Sequence, residues 1–376
     1  MRLLMLSGDE QVAAGERGPF HSLLGEFRRH FDGIDVLVTG DGASGVDLEP
    51  FDGVRFHVGP SGRFGRVRWL AQKGPKLAKA YGHGLVVSHD YGLCHNGKAA
   101  ARISKLAGVP WVSELHHVPG HPVATGWRER MEFRLARKFV SWATPRVRAF
   151  RVVNSKEMPE LLEGWGVPSQ KVAVLSSLYL DLDIFKPSAE PVEFEQDLLF
   201  VGRLVSNKGL DLILDALRVL RDAGRPQRAL FVGRGPLGAW LNKELTRTGL
   251  SRHSRCLEWV DGPLELAEIY RASRLLVCAS TSEGGPRVPL EAMACGTPVI
   301  STPVGVMPEV LADGAAGELF DFSVPALARK LGEILPQEAK RVAMGEAGPA
   351  IAARFERVAQ IERYADGLKA LAQGDA

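Results

Sequence analysis

With 376 residues, of which 45% are hydrophobic and 24% are charged, the chain has a globular composition and enough length for two domains of about 150–200 residues. The apolar run at Met1–Leu6 is too short for a signal peptide, and no stretch approaches the about 18–20 uninterrupted apolar residues of a membrane span, so we expect a cytoplasmic protein. The net charge is +3, and the four cysteines (Cys94, Cys256, Cys278 and Cys295) lack the paired spacing of a disulfide framework or a metal site.

Short β-rich apolar runs alternate with longer helical patterns in the first half of the chain. This alternation is typical of βα units, which form parallel sheets. The predicted strands of this half are Leu3–Leu6, Asp35–Val38, Leu85–Ser88, Trp111–Leu115, Arg151–Val153 and Val172–Leu175.

The second half has the same alternation. Its predicted strands are Leu198–Val201, Ala229–Val232, Leu257–Val260, Leu275–Ala279, Val299–Ser301 and Gly317–Phe320. A helix is predicted at Gly209–Ala223, where leucine and isoleucine residues form one stripe. Each half therefore has enough units for a doubly wound α/β domain.

A proline-rich polar stretch at 186–191 separates the two strand-bearing blocks. Such residues between periodic segments are typical of a linker. We therefore predict a first domain over residues 1–186 and a second over residues 191–352. The segment 353–376 is predicted to be a charged helix that crosses back to the first domain.

Positive charge is concentrated in the first half of the chain. Residues 63–156 contain 18 Lys/Arg and 4 Asp/Glu, whereas residues 191–376 contain 22 and 24. The basic segment is either a solvated, arginine-rich surface or a face for anionic lipid headgroups or another polyanion.

Within the basic segment, five apolar residues recur at helical spacing among arginines: Trp127, Met131, Leu135, Phe139 and Trp142. This stripe fits a membrane-interface helix or a core-facing helix, and we favour the core.

The segment Val201–Gly209 follows a predicted strand and opens a predicted helix. Gly202 allows close approach to the backbone, and a helix N-terminus favours an anion. Arg203 can bind phosphate oxygens through its fork of donors, and Lys208 adds a point charge. These residues suit a diphosphate leaving group, and the alternative is a turn with two surface cations.

A second strand-to-helix turn, Val232–Pro236, contains Gly233 and Gly235. Its spacing differs from the G-x-G-x-x-G pattern of dinucleotide-binding folds, which argues against a nicotinamide-dependent dehydrogenase. A tight turn and a ligand contact fit it equally well.

The most informative segment is 280–300, where Glu283 and Glu291 lie eight positions apart. A carboxylate can accept two hydrogen bonds from a vicinal diol, so both glutamates suit a ribose or a hexose. Between them, Gly284 and Gly285 leave backbone N–H groups free to face a sugar or a phosphate. The alternatives are helix capping by Glu291 and solvent exposure of Glu283.

Together, Gly-Arg-x4-Lys-Gly and the downstream Glu-x7-Glu-Ala-Met-Ala-x-Gly-x-Pro-Val-Ile resemble the motifs of family 4 retaining glycosyltransferases of the GT-B fold. The resemblance covers the second domain nearly end to end and the first domain in outline. It implies an α/β protein with two Rossmann-like domains facing each other across a cleft. The first domain would bind the acceptor and the second a nucleoside-diphosphate sugar.

By this resemblance, Arg203 and Lys208 would hold the donor diphosphate, and Glu291 would accept the ribose hydroxyls. Glu283 would act at the transferred sugar as a catalytic residue, beside the backbone of Gly284 and Gly285. The other donor-binding residues are Gly202, Gly233, Gly235 and Val260.

In the first domain, His116 lies six residues after Pro110 and corresponds to a histidine of the family. The resemblance implies a catalytic residue that hydrogen-bonds the donor sugar or stabilises charge in the transition state. The alternative is a strand-end histidine satisfied by neighbouring backbone. In the loop after the first strand, the family has a turn that lies near the diphosphate and the acceptor. The nearest equivalents of this turn here are Gly15, Arg17 and Gly18. The alternative is a loop that makes no ligand contact.

The chain departs from the family pattern at two places. Glu283–Pro286 reads Glu-Gly-Gly-Pro where Glu-Gly-Phe-Gly is common, so the donor sugar stays open. The usual Asn-Gly-Val-Asp near the domain junction is missing, and Asp181-Leu-Asp183 occurs there instead. A D-x-D pattern binds metal in the other large transferase fold. We interpret it here as coincidence, because two cations already face the diphosphate, and we expect no metal and no cofactor.

The predicted function is transfer of a hexose or N-acetylhexosamine to a hydroxyl of a glycan or lipid-linked saccharide, as in polysaccharide or glycolipid synthesis. Retention would proceed by same-face attack or by double displacement, and the first domain offers no compelling nucleophile. An anionic membrane surface is a further expected partner, through residues 63–156, and nucleic acid is not. The alternatives are a GT-B epimerase or phosphorylase, and a non-catalytic carbohydrate- or RNA-binding protein.

Overall fold

The computed structural model describes residues 1–9, 19–39, 47–60, 63–91 and 94–374. The chain divides into two compact units. The first comprises Met1–Pro119, Arg130–Ser177 and Val358–Ala376, and the second comprises Gly120–Glu129 and Leu178–Arg357. The division after Ser177 comes before the proline-rich stretch used to predict the boundary, and the final helix belongs to the first unit.

Strands and helices alternate along both units. The described strands are β1 (Arg2–Leu6), β2 (Gly33–Thr39), β3 (Asp47–Phe51), β4 (Val54–Gly59), β5 (His83–His89), β6 (Trp111–Leu115), β7 (Ala149–Val152), β8 (Val172–Val174), β9 (Leu198–Val201), β10 (Ala229–Val232), β11 (Ser254–Leu257), β12 (Leu276–Cys278), β13 (Val299–Ser301) and β14 (Gly317–Leu319). The described helices are α1 (Pro19–Phe27), α2 (Arg63–Tyr81), α3 (His95–Ala107), α4 (Trp127–Ala143), α5 (Glu157–Gly164), α6 (Leu210–Asp222), α7 (Gly238–Arg247), α8 (Pro263–Arg271), α9 (Arg287–Ala294), α10 (Met307–Val310), α11 (Val324–Ile334), α12 (Glu338–Ala352) and α13 (Arg357–Gln373).

The first unit is built on one sheet in the order β3-β4-β2-β1-β5-β6-β7-β8. Its described pairings are parallel except for that of β3 with β4. Helices α2 to α5 pack on one face, against residues such as Leu115 and Phe150. Glu114 and Arg151 alternate with these residues on the other face, where they contact Tyr364 of α13.

The second unit has a parallel sheet in the order β11-β10-β9-β12-β13-β14. One apolar cluster joins it to α6, α7 and α11, and a second joins it to α8, α9 and α10. Helices therefore cover both faces, as is usual for parallel sheets. Because parallel strands end at the same edge, the loops after β9, β10 and β12 lie together.

Helix α6 follows its predicted stripe closely. Its buried residues are Leu210, Ile213, Leu214, Ala216, Leu217 and Leu220. Each buried leucine or isoleucine contributes about 1.5–3 kcal/mol relative to an exposed one. The helix begins after Gly209, whose φ is 65° and where a Cβ would lie 2.1 Å from the Ala279 carbonyl oxygen. Only glycine fits this turn.

The predicted strands differ from the structure at two places. The pair β3 and β4 was missed altogether, and the strand predicted at Leu257–Val260 is instead β11, at Ser254–Leu257. Pairing with β10 sets this register, since Ala229 lies opposite Ser254. Trp259 and Val260 follow the strand, so their apolar side chains gave a misleading signal.

The apolar stripe of α4 belongs to the core over only part of its length. Phe139 is 5% exposed and packs with Trp111 of β6, whereas Trp127 is 78% exposed. Met131 and Trp142 are exposed as well. Within the described ranges, no helix has both the length and the apolar character needed to cross a membrane.

A buried carboxylate ties four strands of the first unit together. Asp35 of β2 accepts hydrogen bonds from His57 Nε2 at 2.8 Å and His83 Nε2 at 2.9 Å. Arg2 and Arg55 donate to its Oδ2 at 3.2 Å and 3.1 Å. Burial by itself would raise the pKa of Asp35, but the hydrogen bonds from both histidines and the charge of Arg55 hold it far below its usual range.

Replacing Asp35 with asparagine is expected to lower the free energy of unfolding by about 3 kcal/mol at pH 7, because the change leaves buried donors without their carboxylate. The folded-state pKa is depressed, so this contribution is fully present above the unfolded-state pKa of about 3.9 and decreases progressively as the pH falls from there towards the folded-state pKa. Urea denaturation at pH 7 and pH 3 measures both effects.

Asp32→Asn is the matched control. Asp32 pairs with the N-terminal amine and its side chain is 76% exposed, so its loss should leave the urea midpoint unchanged. Equal midpoints for Asp35→Asn and wild type at pH 7 would contradict the assignment.

Candidate donor site and catalytic histidine

The loops after β9 and β10 touch through their backbones. The Gly202 N–H donates to the Val232 carbonyl oxygen at 2.9 Å. A Cβ on Gly233 would lie 1.9 Å from the Gly202 oxygen, and one on Gly235 would lie 2.5 Å from the Leu204 oxygen. Backbone packing therefore requires Gly233 and Gly235, and a donor contact by either remains a prediction.

Lys208 and Glu283 form an ion pair at the ends of β9 and β12. Their side chains are 19% and 18% exposed. Ser280 Oγ donates to the same Glu283 oxygen, Oε1, at 3.0 Å. Glu283 is thus largely covered and paired, which excludes its interpretation as a solvated surface residue. Arg203 is exposed and, within the described part of the chain, forms no ion pair.

A cavity of about 130 Å³ opens beside this ion pair. It is lined by Phe200, Val201, Lys208, Val277, Cys278, Ser280, Glu283, Gly285, Pro286, Arg287, Val288 and Pro289. Three predicted donor residues, Lys208, Glu283 and Gly285, therefore lie around one space. The backbone of Gly284 packs beside it, where a Cβ on Gly305 would lie 2.4 Å from the Gly284 oxygen.

Glu291 lies within α9 and is 8% exposed. Its Oε2 accepts a hydrogen bond from the Tyr270 hydroxyl at 2.9 Å. Burial raises the pKa of Glu291 above its usual value, and the Tyr270 hydroxyl and the charge of Arg287 oppose this rise. The helix-capping alternative is wrong, because the residue before α9 is Pro286 and the Glu291 carboxylate bonds to Tyr270 instead.

The second unit also contains the predicted donor-binding residue Val260 and the D-x-D stretch that was interpreted as coincidence. Val260 follows β11 and packs, partly buried, against the apolar cluster of α8 to α10. In the D-x-D stretch, Asp181 forms an ion pair with Arg357 at 3.1 Å, and its Oδ1 accepts the Asp183 N–H at 3.2 Å. Asp181 therefore closes a local turn and holds the residue that begins α13.

His116 follows β6 in the first unit, and its side chain is 49% exposed. Its Nε2 lies 3.4 Å from Glu114 Oε2, so its partner is a carboxylate and not the neighbouring backbone. The ring of His89 lies 5.9 Å from the His116 ring. The three remaining predicted positions, Gly15, Arg17 and Gly18, lie outside the described residues.

Sequence reasoning missed the residues that contact the predicted site residues and hold them in position. Tyr270, Glu114, Arg151 and Tyr364 were not predicted as site residues. A signal for Glu114 was present, since it is the one charged residue of a short strand, two positions before His116. An isolated charge in a buried strand requires a partner, which is a reason to look for one.

Two family models match the chain. Glycosyl transferases group 1 matches residues 183–350, and the Glycosyl transferase 4-like domain matches residues 20–177. The chain is 31% identical over 303 residues to a D-inositol 3-phosphate glycosyltransferase of Corynebacterium jeikeium, covering 73% of this chain and 71% of the relative. It is 30% identical over 351 residues to the enzyme of the same name from Corynebacterium urealyticum, covering 85% and 79%.

Solved structures match over nearly the whole chain. Sucrose-phosphate synthase from Thermosynechococcus elongatus aligns with a TM-score of 0.78 at 19% identity, covering 96% of each chain. Anabaena Alr3699/HepE in complex with UDP aligns with a TM-score of 0.75 at 21% identity, covering 98% of this chain and 100% of the other. The predicted α/β fold with two Rossmann-like domains is confirmed, and the chain belongs to the family 4 glycosyltransferases of the GT-B fold.

Proposed function

We propose that the protein is a retaining glycosyltransferase that moves a hexose or N-acetylhexosamine from a nucleoside-diphosphate sugar to a hydroxyl acceptor. The acceptor would be a glycan or a lipid-linked saccharide of a cell-surface polysaccharide or glycolipid pathway. Related structures support the donor class, since Alr3699/HepE is described in complex with UDP and with UDP-glucose. The corynebacterial relatives are named D-inositol 3-phosphate glycosyltransferases, so D-inositol 3-phosphate is one of the hydroxyl acceptors to be tested.

The Lys208–Glu283 ion pair beside the cavity carries this proposal. In this structure each charge neutralises the other. A bound diphosphate would draw the Lys208 ammonium to its own oxygens, and Arg203, which is exposed, would bind it from the loop after β9. The Glu283 carboxylate would then be released to accept hydrogen bonds from sugar hydroxyls. One pair of residues thereby serves both halves of the donor.

Leaving-group charge is the chemical problem that these residues would solve. Departure of a nucleoside diphosphate concentrates negative charge, and fixed cations stabilise it in the transition state. We propose that Arg203 and Lys208 do this without a metal ion. The participation of Asp181 in the Arg357 ion pair supports the interpretation of the D-x-D stretch as structural.

Retention of configuration is the finer part of the proposal, and it rests on family membership. Same-face attack assisted by the leaving phosphate and double displacement both lead to it. His116 would hydrogen-bond the donor sugar or stabilise positive charge as the diphosphate departs. NMR of the anomeric proton in the first-formed product tests retention directly.

The reaction class is tested by incubating the protein with UDP-, GDP- and ADP-sugars and following nucleoside diphosphate release by chromatography. We expect slow hydrolysis of one donor and faster release when a suitable hydroxyl acceptor is added. An epimerase would instead yield an isomeric nucleotide-sugar, and a phosphorylase would require inorganic phosphate. Binding without turnover under every acceptor condition would favour the non-catalytic alternative.

Arg203→Ala and Glu291→Gln should each lower kcat/KM for the donor at least about tenfold, or about 1.4 kcal/mol, by removing a diphosphate contact and a ribose contact. Steady-state kinetics with the identified donor measures the effect. Arg329→Ala, an exposed arginine on α11, is the matched control and should be unchanged. Wild-type kinetics in both site variants would contradict the donor-site assignment.

Replacing Asp183 with asparagine should leave the activity measured in EDTA equal to that of the wild type, because we assign no metal to the D-x-D stretch.

We further propose that the basic segment 63–156 binds an anionic membrane surface. On α4, Arg130, Arg134 and Arg137 are exposed, and neither they nor the exposed Lys76 and Lys79 of α2 form ion pairs within the described residues. Exposed Trp127 and Met131 add apolar area near the start of α4. Each cation near such a surface contributes about 1 kcal/mol.

Reversing Arg130, Arg134 and Arg137 to glutamate should weaken binding to phosphatidylglycerol-containing vesicles at least about tenfold. Vesicle co-sedimentation at fixed ionic strength provides the measurement. The control reverses three exposed cations of the second unit, Lys243, Arg252 and Arg329, and should bind as wild type does. Equal loss in both triple variants, or no binding by wild type, would refute the membrane partner.

A further inference from the structure

Glu114 is a fully buried carboxylate near the end of β6, with a side-chain exposure of 0%. A buried carboxylate is stable as an anion only when charges and hydrogen bonds replace its water. The donor site described above does not involve it. Its surroundings therefore require a separate explanation.

Four side chains surround the Glu114 carboxylate, from α13, β5, β7 and the segment that follows β6. The Tyr364 hydroxyl, on α13, donates to Oε1. On the other side, Oε2 lies 3.4 Å from His116 Nε2 and 3.2 Å from His89 Nε2. Arg151 Nη1 lies 3.7 Å away. Burial alone would raise the pKa of Glu114, but the Arg151 charge and the two histidines hold it far below its usual range, so Glu114 is an anion at neutral pH.

The contacts of both histidines with Glu114 indicate which ring nitrogen carries the proton. Burial lowers the pKa of His89 to about 4, so this ring is neutral at pH 7. Since a carboxylate anion only accepts hydrogen bonds, the 3.2 Å approach of His89 Nε2 to Glu114 favours the tautomer with the proton on Nε2, which leaves Nδ1 to accept from Ser7 Oγ at 3.2 Å. By the same argument, His116 directs an Nε2 proton to Glu114, and Nδ1 is the nitrogen left to serve a ligand when that ring is neutral.

Arg151 acts on this cluster through its charge. Its side chain is 0% exposed, and none of its three guanidinium nitrogens has a hydrogen-bond partner in the described structure. Its guanidinium carbon lies 4.3 Å from the centre of the Tyr364 ring. Tyr364 therefore contacts both charges at once, its ring stacking on Arg151 and its hydroxyl bonding Glu114.

We propose that Glu114 is a positioning residue for His116 and that Tyr364 of the final helix locks Glu114 in place. Glu114 fixes the tautomer and orientation of the catalytic imidazole, and α13 supplies the hydroxyl that holds Glu114. The role of the final helix thus extends beyond packing to the chemistry of the first unit. This inference rests on the proposed function, in which His116 meets the donor sugar or its transition state.

The test combines Glu114→Gln and Tyr364→Phe with His116→Ala in the full chain. Each of the first two changes should lower kcat at least about fivefold while changing KM for the donor less than about twofold, because geometry and not donor binding is lost. In the His116→Ala background neither change should lower kcat further, since residues that act through one another are not additive. Asp35→Asn is the control for a destabilised first unit and should keep wild-type kcat below its unfolding temperature.

Two outcomes separate this inference from the proposed function. If His116→Ala turns over donor as wild type does, the catalytic role of His116 fails. If His116→Ala is impaired while Glu114→Gln and Tyr364→Phe keep wild-type kcat, or if their losses persist in full in the His116→Ala background, only the positioning role fails.

A spectroscopic readout needs no turnover. In protein labelled with 15N at histidine, the ring nitrogen shifts of His116 report its tautomer. Glu114→Gln and Tyr364→Phe should both change these shifts, and Asp35→Asn should not. Unchanged His116 shifts in the first two variants would overturn the inference even if no donor is ever found.

Discussion

Backbone crowding at the ends of β9 and β10 determines the path of the loop that carries Lys208, and the candidate donor site depends on it. Gly233 approaches the Gly202 oxygen so closely that a side chain cannot fit, and Gly209 is equally confined by the Ala279 carbonyl. The loop from Gly202 to Gly209 must therefore turn tightly at both ends. This turn brings Lys208 to Glu283 and leaves a cavity beside the pair. A loop with larger residues at these points would move the ammonium away from the carboxylate.

Much of the fold was predictable because buried parallel strands are short apolar runs. The predicted bounds of Leu198–Val201 and Trp111–Leu115 agree with β9 and β6. Strand β4, which lies between β3 and β2, was missed because it carries Arg55 and His57, whose side chains bond to Asp35. A polar residue within a strand is satisfied only by a partner elsewhere in the chain, and local pattern does not reveal that partner.

The motifs predicted to form the donor site were recognisable because the residues within each motif are close in sequence. Lys208 and Glu283 lie on loops that parallel topology places at one sheet edge, so their meeting follows from the fold class. Tyr270 and Glu114 were not recognised as supporting residues, since their partners are 21 and 250 positions away. Spacing in a motif predicts which side chains meet a ligand. Motif spacing says little about the side chains that position those residues.

The route of the chain has a consequence for biosynthesis. The first unit contains the N-terminus, yet its last stretch begins at Val358. During translation its sheet emerges early, but Tyr364 reaches Glu114 only after the entire second unit has been made. Until then the Glu114 and Arg151 side chains lack the aromatic ring and hydroxyl that cover them. The amino-terminal unit is therefore completed only after the second unit has been synthesised, and a chain that ends before α13 retains this charged cluster without its cover.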